Sequence, residues 1–188
     1  MIQRQNIDQQ LSKKNRAVFL DRDGVINRAI VRDGRPYAPR SKSEVDFLPD
    51  AGMAIAALKG AGFKIIVVTN QPDVATGKTS KSFVEDLHSD MVARFDIDAI
   101  KVCYHVESDG CPCRKPLPGM LLAAAAEYRI DLAQSFMVGD RWRDIGAGNA
   151  AGCRSLFIDY QYSEALTDRP ERSVQSLMEA CDYILSQA

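Results

Sequence analysis

Several things are scarce or missing in this chain, and each absence removes a class of function. Charge of one sign is not in excess. Lys and Arg number 24 against 25 Asp and Glu, for a formal net charge of −1. That balance offers neither the basic surface that nucleic acid requires nor a polybasic membrane anchor. Long hydrophobic runs are missing too, since no stretch approaches the ~20 apolar residues of a membrane span. The opening "MIQRQNIDQQLSKKN" lacks the apolar core of a signal peptide. A cytoplasmic protein is expected, with residues 1–14 as a polar, flexible tail. There is no internal repeat and no low-complexity segment. Two tempting motifs are incomplete. "ATGKTS" at 75–80 needs a glycine where Pro72 stands to be a phosphate-binding P-loop, and the Asp23 region needs an oxygen ligand where Val25 stands to be a calcium loop.

The 188 residues that are present suit one domain spanning 1–188, with 46% hydrophobic and 26% charged residues. A chain of this size buries roughly 70% of its unfolded surface and needs no disulfide to stay folded. Its cysteines are nevertheless dense in one place. Cys103, Cys111 and Cys113 stand with His105 in the stretch "CYHVESDGCPC", and Arg114 and Lys115 follow at once. In a reducing compartment such a cluster binds metal or reacts more often than it pairs. Cys153 and Cys181 read as buried free thiols.

Short apolar runs alternate with helical segments. Strands are expected at 17–21, 64–70, 100–104, 135–140 and 154–159, and helices at about 50–61, 80–95, 117–129 and 143–151. This alternation predicts an α/β fold, a Rossmann-like doubly wound parallel sheet with helices on both faces and strand order 3-2-1-4-5. The stretch 27–49 is a long connection without clear periodicity, a length that marks functional loops.

Chemistry-bearing residues gather at the carboxyl ends of these strands. Asp21 and Asp23 follow the first, Thr69 and Asn70 end the second, and Asp140 ends the fourth, with Asp144 four residues on. In open α/β sheets ligands bind beyond those ends, where strand order reverses. Each acid alone is an ordinary turn or cap residue. Three carboxylates converging in one crevice repel one another unless a cation joins them. A hard ion such as Mg2+ fits, and its usual companion is a phosphate.

Taken together these residues resemble the haloacid dehalogenase-like phosphatases. The resemblance rests on Asp21-Arg22-Asp23-Gly24, then Thr69, then Lys115, then Gly139-Asp140 with Asp144, all in the family's order over 17–144. Within the family, "DRDGVIN", "VVTNQ" and "CRKPLPGM" look most like the heptose bisphosphate phosphatases of bacterial surface-sugar synthesis. Histidinol-phosphate phosphatases are the near alternative, favoured by the short gap between His105 and Cys111. Both groups carry a zinc loop, which here would be Cys103, His105, Cys111 and Cys113. Four N/S ligands leave no open position, so the Zn2+ would be structural.

The resemblance also implies a mechanism. Asp21 would attack phosphorus and become an aspartyl phosphate, and Asp23 would pass the proton to and from the leaving oxygen and water. Mg2+ would be held by Asp21, by Asp23 through its carbonyl, and by Asp140. Thr69, Asn70 and Lys115 would stabilise the phosphoryl oxygens. Arg114, Lys115, Asn70 and Arg35 are candidate substrate contacts, and Arg32, Tyr37 and Arg40 share the loop of Arg35. The zinc loop and 27–49 would form a specificity rim, since neither is large enough for a cap domain. Asp144 has two possible tasks, orienting Lys115 or metal-bound water, or supporting its helix. The substrate implied is a small phosphorylated metabolite, a sugar bisphosphate first, acted on by a monomer. A rival class is a zinc-stabilised receiver-like module phosphorylated on Asp21, which would not need Asp23. His88, on a helix, is expected to be solvated, and Trp142 to be a packing residue.

Overall fold

The computed structural model describes residues 14–187. Residues 1–13 of the expected polar tail therefore lie outside the described residues. In chain order the elements are β1 (Arg16–Leu20), β2 (Ile30–Arg32), β3 (Arg35–Tyr37), α1 (Ala51–Gly60), β4 (Phe63–Asn70), the single turn α2 (Pro72–Ala75), α3 (Lys81–Arg94), β5 (Ala99–Cys103), α4 (Gly119–Tyr128), β6 (Phe136–Gly139), α5 (Trp142–Ala151), β7 (Arg154–Ile158), β8 (Arg172–Val174) and α6 (Leu177–Ser186).

Six strands form one sheet in the order β5-β4-β1-β6-β7-β8, and every pairing is parallel. β1 lies between β4 and β6, so the direction of winding reverses beside it. This is the switch point, and it places the chain segments after β1, β4 and β6 side by side.

The apolar runs of the central strands cover both faces of this sheet. On β1, Val18 and Leu20 point into one core, and Ala17 and Phe19 into the other. On β4, Ile65 and Val67 join the first, Ile66 and Val68 the second. This is the two-residue period of a strand read on a sheet with no solvated face. The first core is closed by Ala54, Ile55 and Leu58 of α1, Leu87 and Met91 of α3, and Ala180, Cys181 and Ile184 of α6. The second is closed by Met120, Leu121 and Ala124 of α4 and Ala147 and Ala151 of α5. Each fully buried aliphatic side chain contributes about 1.5–3 kcal/mol.

Three features depart from the sequence expectation. A sixth strand, β8, extends the sheet. It is three residues long with two exposed, too short to show a period. A last helix, α6, follows it and packs against α1. The long connection holds an antiparallel hairpin of β2 and β3, joined through a turn at Asp33 and Gly34. The expected start of α3 is present, with Ser80 Oγ accepting from Phe83 N. At α1, Asp50 makes no such cap. Its carboxylate accepts instead from Met178 N at 3.2 Å, tying α1 to α6. Cys153 and Cys181 are buried free thiols. Among the described residues no helix is long and apolar enough to cross a membrane.

Helix α5 carries Asp144 in its first turn, and its distance from the sheet is set by Gly148. A Cβ there would stand 2.3 Å from Ser155 Oγ and 2.6 Å from Met137 Cβ, on the two strands beneath. Gly148→Ala must therefore push the helix outward. The expected cost is about 1–3 kcal/mol, a fall in Tm of about 2–10 °C, to be measured by thermal unfolding. An unchanged Tm would mean that α5 does not rest on this contact.

Candidate active site

The segments beyond β1, β4 and β6 enclose a cavity of about 130 Å3, lined by Asp21, Asp23, Thr69, Asn70, Lys115, Asp140 and Asp144 among others. Residues far apart in sequence thus meet at one place. At its floor the buried Lys115 ammonium lies 2.8 Å from Asp21 Oδ1, 2.6 Å from Asp144 Oδ1 and 2.7 Å from the Val68 carbonyl. All three of its N–H bonds are thereby used. Its backbone is held as firmly. Asn70 Nδ2 donates to the Lys115 carbonyl at 3.0 Å, and Lys115 N donates to Asn70 Oδ1 at 3.1 Å. The Asn70 side chain is therefore committed to placing Lys115. Asp144 accepts the Arg141 N–H at 3.0 Å as well as the lysine, so it ties the start of its helix to Lys115.

One ammonium pairs with two of three clustered carboxylates, Asp21 and Asp144, and leaves Asp140 without a lysine. Burial and then the Asp144 charge push the Asp21 carboxyl up to about 7, against the pull of Lys115. Burial and then Asp21 and Asp144 push Asp140 well above the usual carboxylate range. Both Asp140 oxygens are buried with no hydrogen bond of normal length, although the Tyr162 hydroxyl is near enough to pull the Asp140 pKa down a little against burial. Ligand atoms of Asp21, Asp140 and Asp144 lie within 4.8 Å of one another. A hard divalent cation suits this all-oxygen set, because it would supply the missing charge and the missing partner for Asp140. Gly24 leaves the room. Its φ is +86°, and a Cβ would sit 1.9 Å from Asp140 Oδ2.

Asp23 is in the opposite electrostatic state. Its Oδ1 accepts from Arg22 Nε at 3.1 Å and Asn27 Nδ2 at 2.9 Å, and its Oδ2 from Arg22 Nη2 and Gln71 Nε2, each at 2.9 Å. Burial alone would raise its pKa, but the Arg22 charge and these four bonds outweigh burial and hold it below the usual range. With its carboxylate so occupied, only its main-chain oxygen is left for an ion. Gln71 Nε2 also donates to Thr69 Oγ1 at 2.9 Å, which leaves the threonine hydroxyl proton free. His88 is not solvated as expected. It is 8% exposed, with Nε2 3.1 Å from Arg22 Nη1, because α3 turns that face onto the core.

The rim comes from four segments, the hairpin region, the turn after β4 at Pro72 and Asp73, the loop that holds Arg114, and the start of α5. Ala29, Pro36, Tyr37 and Ala38 of the hairpin region line the cavity with Arg114, Arg141 and Arg143. Arg35 is exposed on β3 and does not line it. Arg32 lies 3.7 Å from Glu44, and Arg40 is bound to Asp73 at 2.8 Å. Trp142 lies beneath the Arg143 guanidinium, 5.0 Å from ring centroid to Cζ. Beside Arg114 the four expected soft donors converge. Cys113 Sγ is 3.2 Å from Cys103 Sγ, 3.4 Å from Cys111 Sγ and 3.3 Å from His105 Nδ1. Cys103 Sγ is 3.7 Å from Cys111 Sγ and 3.6 Å from His105 Nδ1. A tetrahedron with zinc-ligand arms of about 2.0–2.3 Å has edges of about 3.3–3.8 Å, so donor set and spacing fit Zn2+.

Arg22, Asn27, Gln71, Arg141 and Arg143 were not singled out from the sequence. Arg22 stands inside a motif where only the flanking acids carry an obvious signal. Arg141 stands just before α5 and Arg143 in its first turn with Asp144, and all three line the cavity. This hint was available in "GDRWRD".

A doubly wound sheet with aspartates beyond two neighbouring strands, and a lysine bridging them from a later loop, is the architecture of the haloacid dehalogenase-like hydrolases. The family described as "HAD-hyrolase-like" matches residues 112–180. A D-glycero-beta-D-manno-heptose-1,7-bisphosphate 7-phosphatase of Bordetella bronchiseptica is 38% identical over 146 residues, 75% of this chain and 79% of that relative. One of Helicobacter pylori J99 is 35% identical over 182 residues, 90% of this chain and 97% of the relative. The crystal structure of D,D-heptose 1,7-bisphosphate phosphatase from B. bronchiseptica, complexed with magnesium and phosphate, is similar with a TM-score of 0.76 at 32% identity, covering 92% of this chain and 99% of that one. The chain belongs to the haloacid dehalogenase-like phosphatases, in the family of the D-glycero-β-D-manno-heptose-1,7-bisphosphate 7-phosphatases, and is a phosphoric monoester hydrolase.

Proposed function

We propose that the protein removes the 7-phosphate of a D-glycero-D-manno-heptose 1,7-bisphosphate, a precursor of bacterial surface sugar, through an aspartyl phosphate on Asp21. The observation that carries this reading is the Asp21 carboxylate, buried 2.8 Å from Lys115 at the floor of a cavity whose mouth holds three arginines. Asp21 uses the oxygen not bound to Lys115 to attack phosphorus, and the bond from phosphorus to the sugar oxygen breaks. Asp23 gives that oxygen a proton, then accepts one from the water that cleaves the acyl phosphate. To donate, Asp23 must first take up a proton, which the arriving phosphate's negative charge favours. The free Thr69 hydroxyl donates to a phosphoryl oxygen, and Lys115 offsets charge as it leaves Asp21. Asp21, the Asp23 carbonyl and Asp140 would hold Mg2+. When bound, Mg2+ supplies the positive charge that lets a carboxylate approach a phosphate.

The second phosphate of the substrate has its own partners in this proposal. Arg114 Nη1 donates to the His105 carbonyl at 3.1 Å, and Arg141 is paired with Glu164. Arg143 is the least committed. Its Nε is buried without a partner, and the exposed Glu107 lies 3.7 Å from its Nη2. Burial and then the neighbouring Arg114 and Arg141 charges lower its pKa. An anion at the mouth relieves that repulsion. We further assign the four-donor loop to a structural Zn2+, available as thiolates in a reducing cytoplasm, whose task is to hold Arg114 and Lys115 in register. A monomer is the working unit in this proposal.

Purified protein should hydrolyse the heptose bisphosphate only with Mg2+ and in preference to histidinol phosphate, and Asp21→Asn should be silent. Full activity in Asp21→Asn, or a ten-fold preference for histidinol phosphate, would reverse the assignment. Arg143→Ala should raise KM for the bisphosphate by roughly 10–100-fold, the scale of one charge-assisted hydrogen bond, while leaving a heptose 7-monophosphate within about three-fold. Equal effects on both would remove Arg143 from the second-phosphate site. Cys111→Ser should leave helix content near native, bring zinc below one per chain and lower kcat/KM about ten-fold or more. Elemental analysis and steady-state kinetics check this, and normal kinetics in a zinc-free variant would contradict it.

A further inference from the structure

We propose that His88, which lies outside the cavity, is a positioning residue for the proton transfer carried out by Asp23, and that it acts through Arg22. The inference rests on the reading of Asp23 given above and adds a residue from a different part of the fold.

Arg22 is fully buried, yet its principal partner is the next residue in the chain. Its Nε and Nη2 form a two-pronged contact with both oxygens of Asp23. A fork between sequence neighbours is not enforced by the backbone, because a long side chain has many ways to turn. The far side of the guanidinium settles its orientation. Nη1 lies 3.1 Å from His88 Nε2, from a residue 66 positions away. A guanidinium nitrogen can only donate, so Nε2 is the acceptor and the imidazole is neutral with its proton on Nδ1. Burial and then the Arg22 charge push the His88 pKa down to about 4, so the acceptor form persists at neutral pH.

His88 itself is fixed. It sits on the buried face of α3 with Val84, Leu87 and Met91, and that face packs on the sheet. A rigid helix therefore holds an imidazole, the imidazole holds a guanidinium, and the guanidinium holds both oxygens of the acid that moves the proton. Without an acceptor at position 88, the buried Nη1 has no partner, and the guanidinium turns to find one. Asp23 turns with it. Sites of this kind depend on support from outside the reacting groups, since a displacement of about 1 Å suffices to slow the reaction.

The test uses the leaving group. A sugar oxygen needs a proton to depart, whereas nitrophenolate leaves without one, and kcat/KM reports the steps up to that departure. With the intact Mg2+-loaded protein, His88→Leu should lower kcat/KM for the heptose phosphate about 10–100-fold, a partial loss that reaches at most the lower end of what general acid catalysis contributes, and for p-nitrophenyl phosphate by less than about three-fold. His88→Gln, which restores an acceptor oxygen, should return the sugar phosphate rate to within about three-fold. His88→Met, similar in length and without a strong acceptor, serves in place of the leucine variant if that one does not fold by circular dichroism. Equal losses on both substrates, no loss on the sugar phosphate, or no rescue by glutamine would overturn the proposal. Asp23→Asn is the control. If it slows both substrates equally, the role of Asp23 itself is wrong and the inference falls with it. If it splits them and the His88 variants do not, only the link through Arg22 is wrong.

Discussion

The ammonium of Lys115, buried between Asp21 and Asp144, is the interaction on which the rest of the site depends. It joins a loop after β5 to the ends of β1 and β6, and it is the only cation among the described residues that touches Asp21. Taking one partner from such a buried pair costs about 3–5 kcal/mol, because the other is left charged and dry. The surroundings serve this contact. Asn70 clamps the Lys115 backbone, and the four-donor loop lies immediately before it in sequence. Glycines at 24 and 139 keep Cβ atoms away from Asp140 and Asp144. Three carboxylates still exceed one lysine, and that deficit gives the site its demand for a cation.

Around this floor two aspartates two residues apart are kept in opposite states. Asp21 is raised by burial and by its neighbouring acids, while Asp23 is lowered by Arg22 and by the side-chain amides of Asn27 and Gln71. The difference lies in what each faces. Asp21 looks into the crevice of like charges, and Asp23 is ringed by the donors of Arg22, Asn27 and Gln71. Separating two carboxyls by environment in this way is how one site assigns different chemistry to identical groups.

Among the described residues the mouth carries no cap domain and is assembled from short pieces tied at single points. Arg40 binds Asp73, Ser163 N donates to the Gly34 carbonyl at 2.8 Å, and Arg141 pairs with Glu164. These ties link the β2–β3 hairpin, the turn after β4, the start of α5 and the chain after β7. The arginines at the mouth are consequently held close together, which raises their mutual repulsion and their appetite for an anion.

The sequence by itself determined the layered α/β class and the residues at the strand ends. Asp21, Asp23, Thr69, Lys115 and Asp140 were legible because a buried parallel strand is a short apolar run, and the residue that follows it must lie at the rim of the sheet. The cysteine cluster was legible because its donors are close in the chain. β8 and α6 were not, since β8 is too short to show a period and α6 earns its place by packing on α1. Arg35 looked like Arg114 in sequence, yet it stands exposed on β3 and does not line the cavity. The tertiary structure alone decided that His88 is buried against Arg22, that Asn70 holds Lys115, and that Arg141 and Arg143 overhang the mouth. Each of these is a contact between segments far apart in the chain or a choice of helix face. Local periodicity and residue chemistry do not encode either one, because both are set by how the helices settle on the sheet.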